Sequence, residues 1–267
     1  MEGLESREIA KLTYEGIARG TDCVACERPL SIIIENQLHG RHELGITMRT
    51  GGHDRLLVLG FIYSEGIISS IDDVSKIEID NDHAIIELYK NANFDPKKHC
   101  RNSTVTSSCG ICGRSSFEDG ILEGANELDE RMMISLDAIV NCIESVTRKQ
   151  LIFSQTGGSH ACASFTGNGA IERVFEDVGR HNAFDKLVGS YIDEGRIPNV
   201  GLGAFVSGRA SYELVQKSIR AGFQIMIAIG APSSLAVDLA KEHGMTLGCF
   251  AKGDSITLFS GVRRILQ

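Results

Sequence analysis

The sequence predicts an α/β protein: a layered sheet with helices on both faces, preceded by a β-rich segment. Three observations carry this expectation. From residue 131 onward, short apolar runs alternate with stretches of helical spacing, which is the rhythm of a sheet covered by crossover helices. Before residue 108 the apolar runs follow one another as strands with a single helix among them. The chain has 267 residues and is 42% hydrophobic, enough to bury a core without disulfide staples. The expected organisation is a β-rich N-terminal subdomain over 1–108, a cysteine-bearing connection over 109–130 and an α/β domain over 131–267.

In the first segment "PLSIII" (29–34) and "LGITMRT" (44–50) have strand character. "HDRLLVLGFIYSEGII" (53–68) has helical spacing and ends near Gly66. "KIEID", "NDH" and "AIIELY" read as a hairpin, apolar residues alternating on each side of a polar turn. Residues 91–116 lose periodicity and predict a long connection, a feature that is often functional in compact proteins.

In the last segment Ser135 is placed to cap a helix whose apolar positions are Leu136, Ile139, Val140, Ile143 and Val146. A strand pair is expected around Gly167–Gly169. The next helix starts near Arg180, buries Ala183, Phe184, Leu187, Val188 and Tyr191, and ends by Gly195. Then follow the strand "GLGAFVS", the helix "SYELVQKSIRAG", the strand "FQIMIAI", the helix "SLAVDLAKEHG" and the strand "MTLGCF".

The net charge is −8. Residues 1–108 carry 17 acids and 12 bases and residues 109–267 carry 18 and 15, so neither part has the basic excess that nucleic-acid binding needs. The most apolar region, 223–240, contains Pro232, Ser233, Ser234 and Asp238 and reads as strand, turn and helix, not as a membrane span. No secretory signal is evident. A cytoplasmic protein with mostly reduced cysteines is the expectation.

The stretch "SSCGICGRSS" (107–116) puts Cys109 and Cys112 three positions apart among glycines and serines, with Arg114 nearby. A thiolate is the reactive form of cysteine. Positive charge and glycine-rich backbone N–H groups both favour it, so this loop suits sulfur exchange. The same spacing also fits half of a structural zinc site or a thiol–disulfide pair. Cys23 and Cys26 form a second C-x-x-C, but 82 residues separate Cys26 from Cys109, far more than in a zinc ribbon. Cys142, Cys162 and Cys249 read as small core residues.

Polar loops stand at strand ends, among them "GAPSSLAV" (230–237), a strand–loop–helix junction with Ser233 or Ser234 as cap. "SQTGGSHACASF" (154–165) presents His160 after two glycines. "FEDVGRHNAFDK" (175–186) gathers Arg180, His181, Asp185 and Lys186 at a strand-to-helix junction, where ligands bind in α/β sheets. The bland alternative is a solvated helix with i,i+4 pairs such as His181 with Asp185. "VSGRASYELVQKS" (206–218) offers Arg209 for a phosphate. "CFAKGDS" (249–255) offers Phe250 to stack on a planar ring and Lys252 to meet an anion. Together these loops predict one edge that holds a large anionic molecule. Neither a Walker A motif nor a G-x-G-x-x-G occurs.

The segments "ERPLSI", "GFIYSEGII", "SSCGICGR", "TGGSHACA", "EDVGRHNAFDK", "SGRASYELVQKS" and "APSSLAV", in this order, resemble the FdhD family of formate dehydrogenase accessory sulfurtransferases. The resemblance runs from about Glu27 to near the carboxyl end. It implies a fold similar to the cytidine deaminases and a homodimer. It also implies a function: accepting persulfide sulfur from a cysteine desulfurase and delivering it to the molybdenum (or tungsten) bis(molybdopterin guanine dinucleotide) cofactor of formate dehydrogenase. Cys109 would then carry the persulfide and Cys112 assist. Phe250, Ala251, Lys252, Gly253, Asp254 and Ser255 would correspond to the family's cofactor-holding stretch, with Arg180, His181, Arg209 and His160 beside it. That stretch often reads F-C-K-P-G-R in the family and is F-A-K-G-D-S here. A zinc deaminase needs x-Glu after its His ligand and a later P-C-x-x-C. Here His160 is followed by Ala161 and Cys162.

Overall fold

Residues 3–100, 122, 128 and 131–266 are described by a computed structural model. The chain opens with a two-stranded ribbon, β1 (Leu4–Thr13) and β2 (Gly16–Ala25), paired antiparallel from Leu4↔Ala25 to Thr13↔Gly16. Nearly all of it is exposed. A four-stranded sheet follows in the order β4-β3-β6-β5, from β3 (Arg28–Asn36), β4 (Gly40–Arg49), β5 (Val74–Asp80) and β6 (His83–Leu88). Its β5–β6 hairpin turns at Asn81, where φ is 46°. Helix α1 (Asp54–Ser64) lies between β4 and β5 in sequence, and a short helix, α2 (Pro96–His99), comes after β6.

Beyond residue 131 come β7 (Ile134–Ser135), α3 (Leu136–Lys149), α4 (Leu151–Thr156), β8 (His160–Thr166), β9 (Ile171–Asp177), α5 (Arg180–Ile192), β10 (Leu202–Val206), α6 (Tyr212–Arg220), β11 (Ile225–Ala228), α7 (Ser234–Glu242), β12 (Thr246–Lys252), β13 (Ser255–Ser260) and β14 (Ile265–Leu266). Six of these strands form one sheet in the order β13-β12-β11-β10-β8-β9. β10, β11 and β12 run parallel, and β8, β9 and β13 antiparallel to their neighbours. Caps fix three of the helices. Ser135 Oγ accepts from Ala138 N, Ser211 Oγ from Leu214 N and Ser233 Oγ from Ala236 N, each satisfying a donor that the helix start leaves open.

Strand alternation divides the core between the two faces of this sheet. Ala161, Ala163, Phe165, Phe205, Ile225 and Ile227 pack with Ile139, Cys142 and Val146 of α3. Cys162, Ala204, Val206, Met226 and Leu247 face the other way, into a larger core shared with α5, α6, α7, α1 and the four-stranded sheet. That core takes side chains from both sides of residue 108, so α1 and the first sheet are packed on the second. Helix α5 is buried along its whole length after Arg180. Among the described residues no helix is long and apolar enough to cross a membrane.

Three elements differ from the sequence expectation. The β1–β2 ribbon has no sequence signature because both of its faces are exposed and mixed in polarity. Strand β12 continues past Phe250 to Lys252 and turns into β13 through Gly253 and Asp254, so the expected polar loop is a hairpin. Residues 151–156, to which the sequence assigns no element, form α4.

Candidate functional site

Topology brings the expected loops to one sheet edge. Parallel strands β10, β11 and β12 all end there. β8 is antiparallel to β10 and begins there at His160, and β9 is paired His160↔Asp177 and ends there. The loops are tied to one another by main-chain bonds. Ser207 N donates to Ala161 O and Ser207 Oγ accepts from Ala161 N, both at 2.9 Å. Gly230 N donates to Gly208 O at 2.9 Å, Ala210 N to Ala231 O at 3.1 Å and Phe250 N to Gly230 O at 3.3 Å. Gly230 has to be a glycine, since a Cβ there would lie 2.9 Å from the Arg209 backbone. Gly208 sits against two site residues, within 3.5 Å of His160 Nδ1 and 3.7 Å of Arg180 Cδ measured from an added Cβ.

The side chains at this edge differ in what they can do. Arg180, the first residue of α5, is partly exposed, and its Nε has no hydrogen-bond partner among the described residues. Arg209 is exposed after β10. Phe250 is half exposed with φ 54°, at a bulge between Cys249 and Lys252, and its ring is 6.2 Å from that of Phe259. Lys252 is exposed two residues further on, paired with Ser255 across the hairpin that Gly253 and Asp254 close; Ala251 between them is buried in the core. A cationic rim around an exposed aromatic ring suits a planar, phosphate-bearing ligand.

His160 and His181 both face this edge as neutral rings. Burial holds His160 below the usual histidine range, helped by the Arg180 charge and opposed by Asp177. Burial pushes His181 down to about 3, helped by Lys217, Arg180 and His160. Its Nε2 lies 3.1 Å from Glu213 Oε2 and 3.3 Å from Ser211 Oγ. With the ring neutral this contact is an N–H donated to a carboxylate, not an ion pair.

Two residues of "FEDVGRHNAFDK" that looked like ligand contacts belong to the core. Lys186 is buried, 2.7 Å from Asp177 Oδ2, and also donates to Thr50 O at 2.8 Å. Asp185 is buried against Lys217 Nζ at 2.6 Å and accepts from Ser64 Oγ at 3.0 Å. The i,i+4 pair of His181 with Asp185 does not form, because α5 is enclosed and each side chain turns to a neighbouring element. Glu176 accepts from Ile152 N and Phe153 N at the start of α4, and from Ser159 Oγ.

Thr50, which the sequence reading did not single out, braces the edge from the first sheet. Its N–H donates to Asp177 Oδ2 at 3.1 Å and its Oγ1 accepts from Val178 N at 3.1 Å. The signal was present in "MRTGGHD" (48–54), another strand-to-helix junction rich in glycine.

Cys109, Cys112 and Arg114 lie outside the described residues. The other C-x-x-C pair lies within the described residues. Cys23 is exposed on β2, and Cys26 continues the ladder, its N–H donating to Gly3 O at 2.8 Å. Three residues of extended chain span about 10 Å, beyond the Cα separation of about 7 Å that a disulfide tolerates. Among the described residues no group of three or more His, Cys, Asp or Glu is arranged to hold a metal ion. Cys142, Cys162 and Cys249 are buried, and burial pushes Cys142 and Cys249 up to about 12, as expected for inert core thiols.

Residues 25–266 match the model of the FdhD/NarQ family. The sulfur carrier protein FdhD of Sulfurisphaera tokodaii is 41% identical over 259 residues, covering 97% of this chain and 98% of that one. The sulfur carrier protein FdhD of Thermoplasma acidophilum is 38% identical over 270 residues, covering 98% and 93%. A crystal structure from Desulfotalea psychrophila, described as a formate dehydrogenase accessory protein, superposes with a TM-score of 0.76 over 98% of this chain and 99% of that one, at 24% identity. It shows the same mixed α/β fold.

Proposed function

The chain belongs to the FdhD/NarQ family, and on that premise we propose that it is a sulfur carrier serving formate dehydrogenase. Cys109 takes sulfur from the persulfide of a cysteine desulfurase and hands it to the molybdenum or tungsten bis(molybdopterin guanine dinucleotide) cofactor, its substrate. In the loading step the Cys109 thiolate attacks the outer sulfur of the donor persulfide. The new S–S bond forms as the old one breaks, and the donor cysteine leaves as a thiolate, so no external oxidant is consumed. Cys112 assists by holding or resolving that sulfur.

The observation that carries this reading is the near-full-length likeness to curated sulfur carrier proteins at about 40% identity. The sheet edge supports it: Arg180, Arg209 and Lys252 supply positive charge, Phe250 a ring to stack on, and His160 and His181 neutral donors or acceptors for the cofactor. A homodimer in the cytoplasm completes the proposal, on the strength of the family resemblance.

The test is to incubate the protein with a cysteine desulfurase and L-cysteine and map its cysteines by mass spectrometry. Sulfur loading adds about 32 Da to Cys109, whereas a disulfide with Cys112 removes two hydrogens. A Cys109→Ala variant that still loads and delivers sulfur at the parent rate would end the assignment.

A further inference from the structure

Beside the sheet edge, an open cavity of about 800 Å3 lies at the start of α1. Arg28, Arg49, Gly51, Gly52 and Asp82 are among its lining residues. Arg49 is 3% exposed. Asp54 accepts from its Nε at 3.0 Å and its Nη2 at 2.9 Å, and Asn81 O accepts from Nη2 at 3.0 Å. Its remaining nitrogen, Nη1, is buried with no hydrogen-bond partner among the described residues, although leaving a guanidinium N–H buried and unpaired is costly. Asp54 therefore fixes the guanidinium plane and leaves one of its nitrogens without an acceptor.

The backbone around this arginine is also rich in unused donors. The N–H groups of Gly51 and Gly52 make no hydrogen bond within the described residues. Gly52 has φ 91° and His53 φ 61°, so the turn into α1 passes through two positive-φ residues in succession. α1 has eleven residues and starts at the cavity wall, where Gly51, Gly52 and Asp54 lie, so its first-turn donors and the positive end of the helix dipole face the same region. Arg28 adds an exposed charge. The carboxylates nearby are largely engaged, Asp54 with Arg49 and Glu5 with Arg7, Arg28 and Cys26. Only Asp82 stands without an ion-pair partner among the described residues.

We propose that this cavity binds a tetrahedral oxyanion, free or as the phosphate of a larger ligand, on Arg49, Arg28 and the Gly51–Gly52 backbone. The inference rests on this geometry and not on the sulfur-carrier reading. The site also touches the first one. Thr50, next to Gly51, is hydrogen-bonded to Asp177 and Val178, so an anion here sits one residue from the brace of the sheet edge.

The experiment is a titration of the full chain, labelled with 15N-glycine, using inorganic phosphate, sulfate and a nucleoside diphosphate in separate arms. Saturable shifts of the Gly51 and Gly52 amides are expected with at least one of them, and the tightest arm identifies the source of the oxyanion. Arg28→Ala weakens binding and Asp82→Asn tightens it, each by about threefold, while Arg49→Lys, which keeps the charge but loses the fork, weakens it by about tenfold. Arg209→Ala, at the sheet edge, leaves the Gly51 and Gly52 shifts unchanged. The proposal fails if no anion shifts those two amides. It fails equally if Asp82→Asn and Arg28→Ala have no effect while Arg209→Ala abolishes the shifts, since the anion would then be bound at the sheet edge.

Discussion

Gly60 of α1 and Asp185 of α5 meet backbone to backbone: a Cβ on Gly60 would lie 1.9 Å from the Asp185 carbonyl oxygen. The contact is reciprocated one turn away, where a Cβ on Gly189 would lie 1.8 Å from Leu56 O. This close crossing lets α1, from the first segment, seat itself on the helix whose start carries Arg180 and His181. Gly60→Ala forces the two main chains apart, and overpacking on this scale costs about 3 kcal/mol or more. Thermal unfolding is expected to fall by roughly 6–12 °C for a chain of this size. A variant melting within a degree or two of the parent would mean that the helices do not approach so closely.

The same helix holds the buried pair of Asp185 and Lys217. Lys217→Met leaves a carboxylate in the core without its ammonium, at a cost of about 3–5 kcal/mol near neutral pH. Burial already pushes Asp185 up, and Lys217 is the main influence pulling it back. In the variant the folded-state value rises further above the unfolded one. A raised carboxyl contributes stability at low pH and loses it as pH rises through the folded value. The deficit of Lys217→Met relative to the parent is therefore expected to shrink as pH falls from 7 to 5, measured by urea unfolding at each pH. A deficit independent of pH would show that Asp185 stays ionised without Lys217.

How far the sequence led is visible in these residues. The strand–helix rhythm after residue 131 is legible because each element has one buried face or stripe, and Ser135, Ser211 and Ser233 mark helix starts by their capping chemistry. The gathering of His160, Arg180, Arg209 and Phe250 follows from where those strands end. By contrast, Asp185 and Lys186 look like surface charges in the sequence. Their burial depends on Lys217, Ser64, Asp177 and Thr50, partners that come from other elements. The β1–β2 ribbon was illegible for the opposite reason. It buries almost nothing, so no periodic apolar pattern is imposed on it.

His181 gives a pH signature of its own. Its folded value, about 3, lies below the ordinary histidine value of 6.5. The unfolded chain therefore takes up a proton that the folded chain refuses. A lowered histidine contributes stability above the unfolded value, and that stability is lost as pH falls from about 6.5 towards 3. The full shift corresponds to roughly 3–5 kcal/mol by pH 3. His181→Gln keeps a donor for Glu213 and Ser211 but does not titrate. Its stability is expected to decline less than the parent's between pH 7 and pH 4, read from chemical unfolding. Parallel curves for the two proteins would place a proton on His181 in the folded state.

Phe250 provides the sharpest test of the sheet edge as a nucleotide-binding surface. Its ring is half exposed, so removing it takes little from the core, while its N–H is bonded to Gly230 O, in the loop packed on the Arg209 backbone. Stacking of a base on an aromatic ring is worth about 1–3 kcal/mol. Phe250→Ala is therefore expected to weaken binding of GDP, a fragment of the proposed substrate, by about 5- to 150-fold with an unchanged melting temperature. Arg209→Ala, which removes a phosphate contact and leaves the ring, should weaken GDP but leave guanosine unaffected, whereas Phe250→Ala should weaken both. Calorimetric titration of the two variants with GDP and guanosine separates stacking from charge. Equal affinity of the parent and Phe250→Ala for both ligands would remove the hairpin from the binding surface.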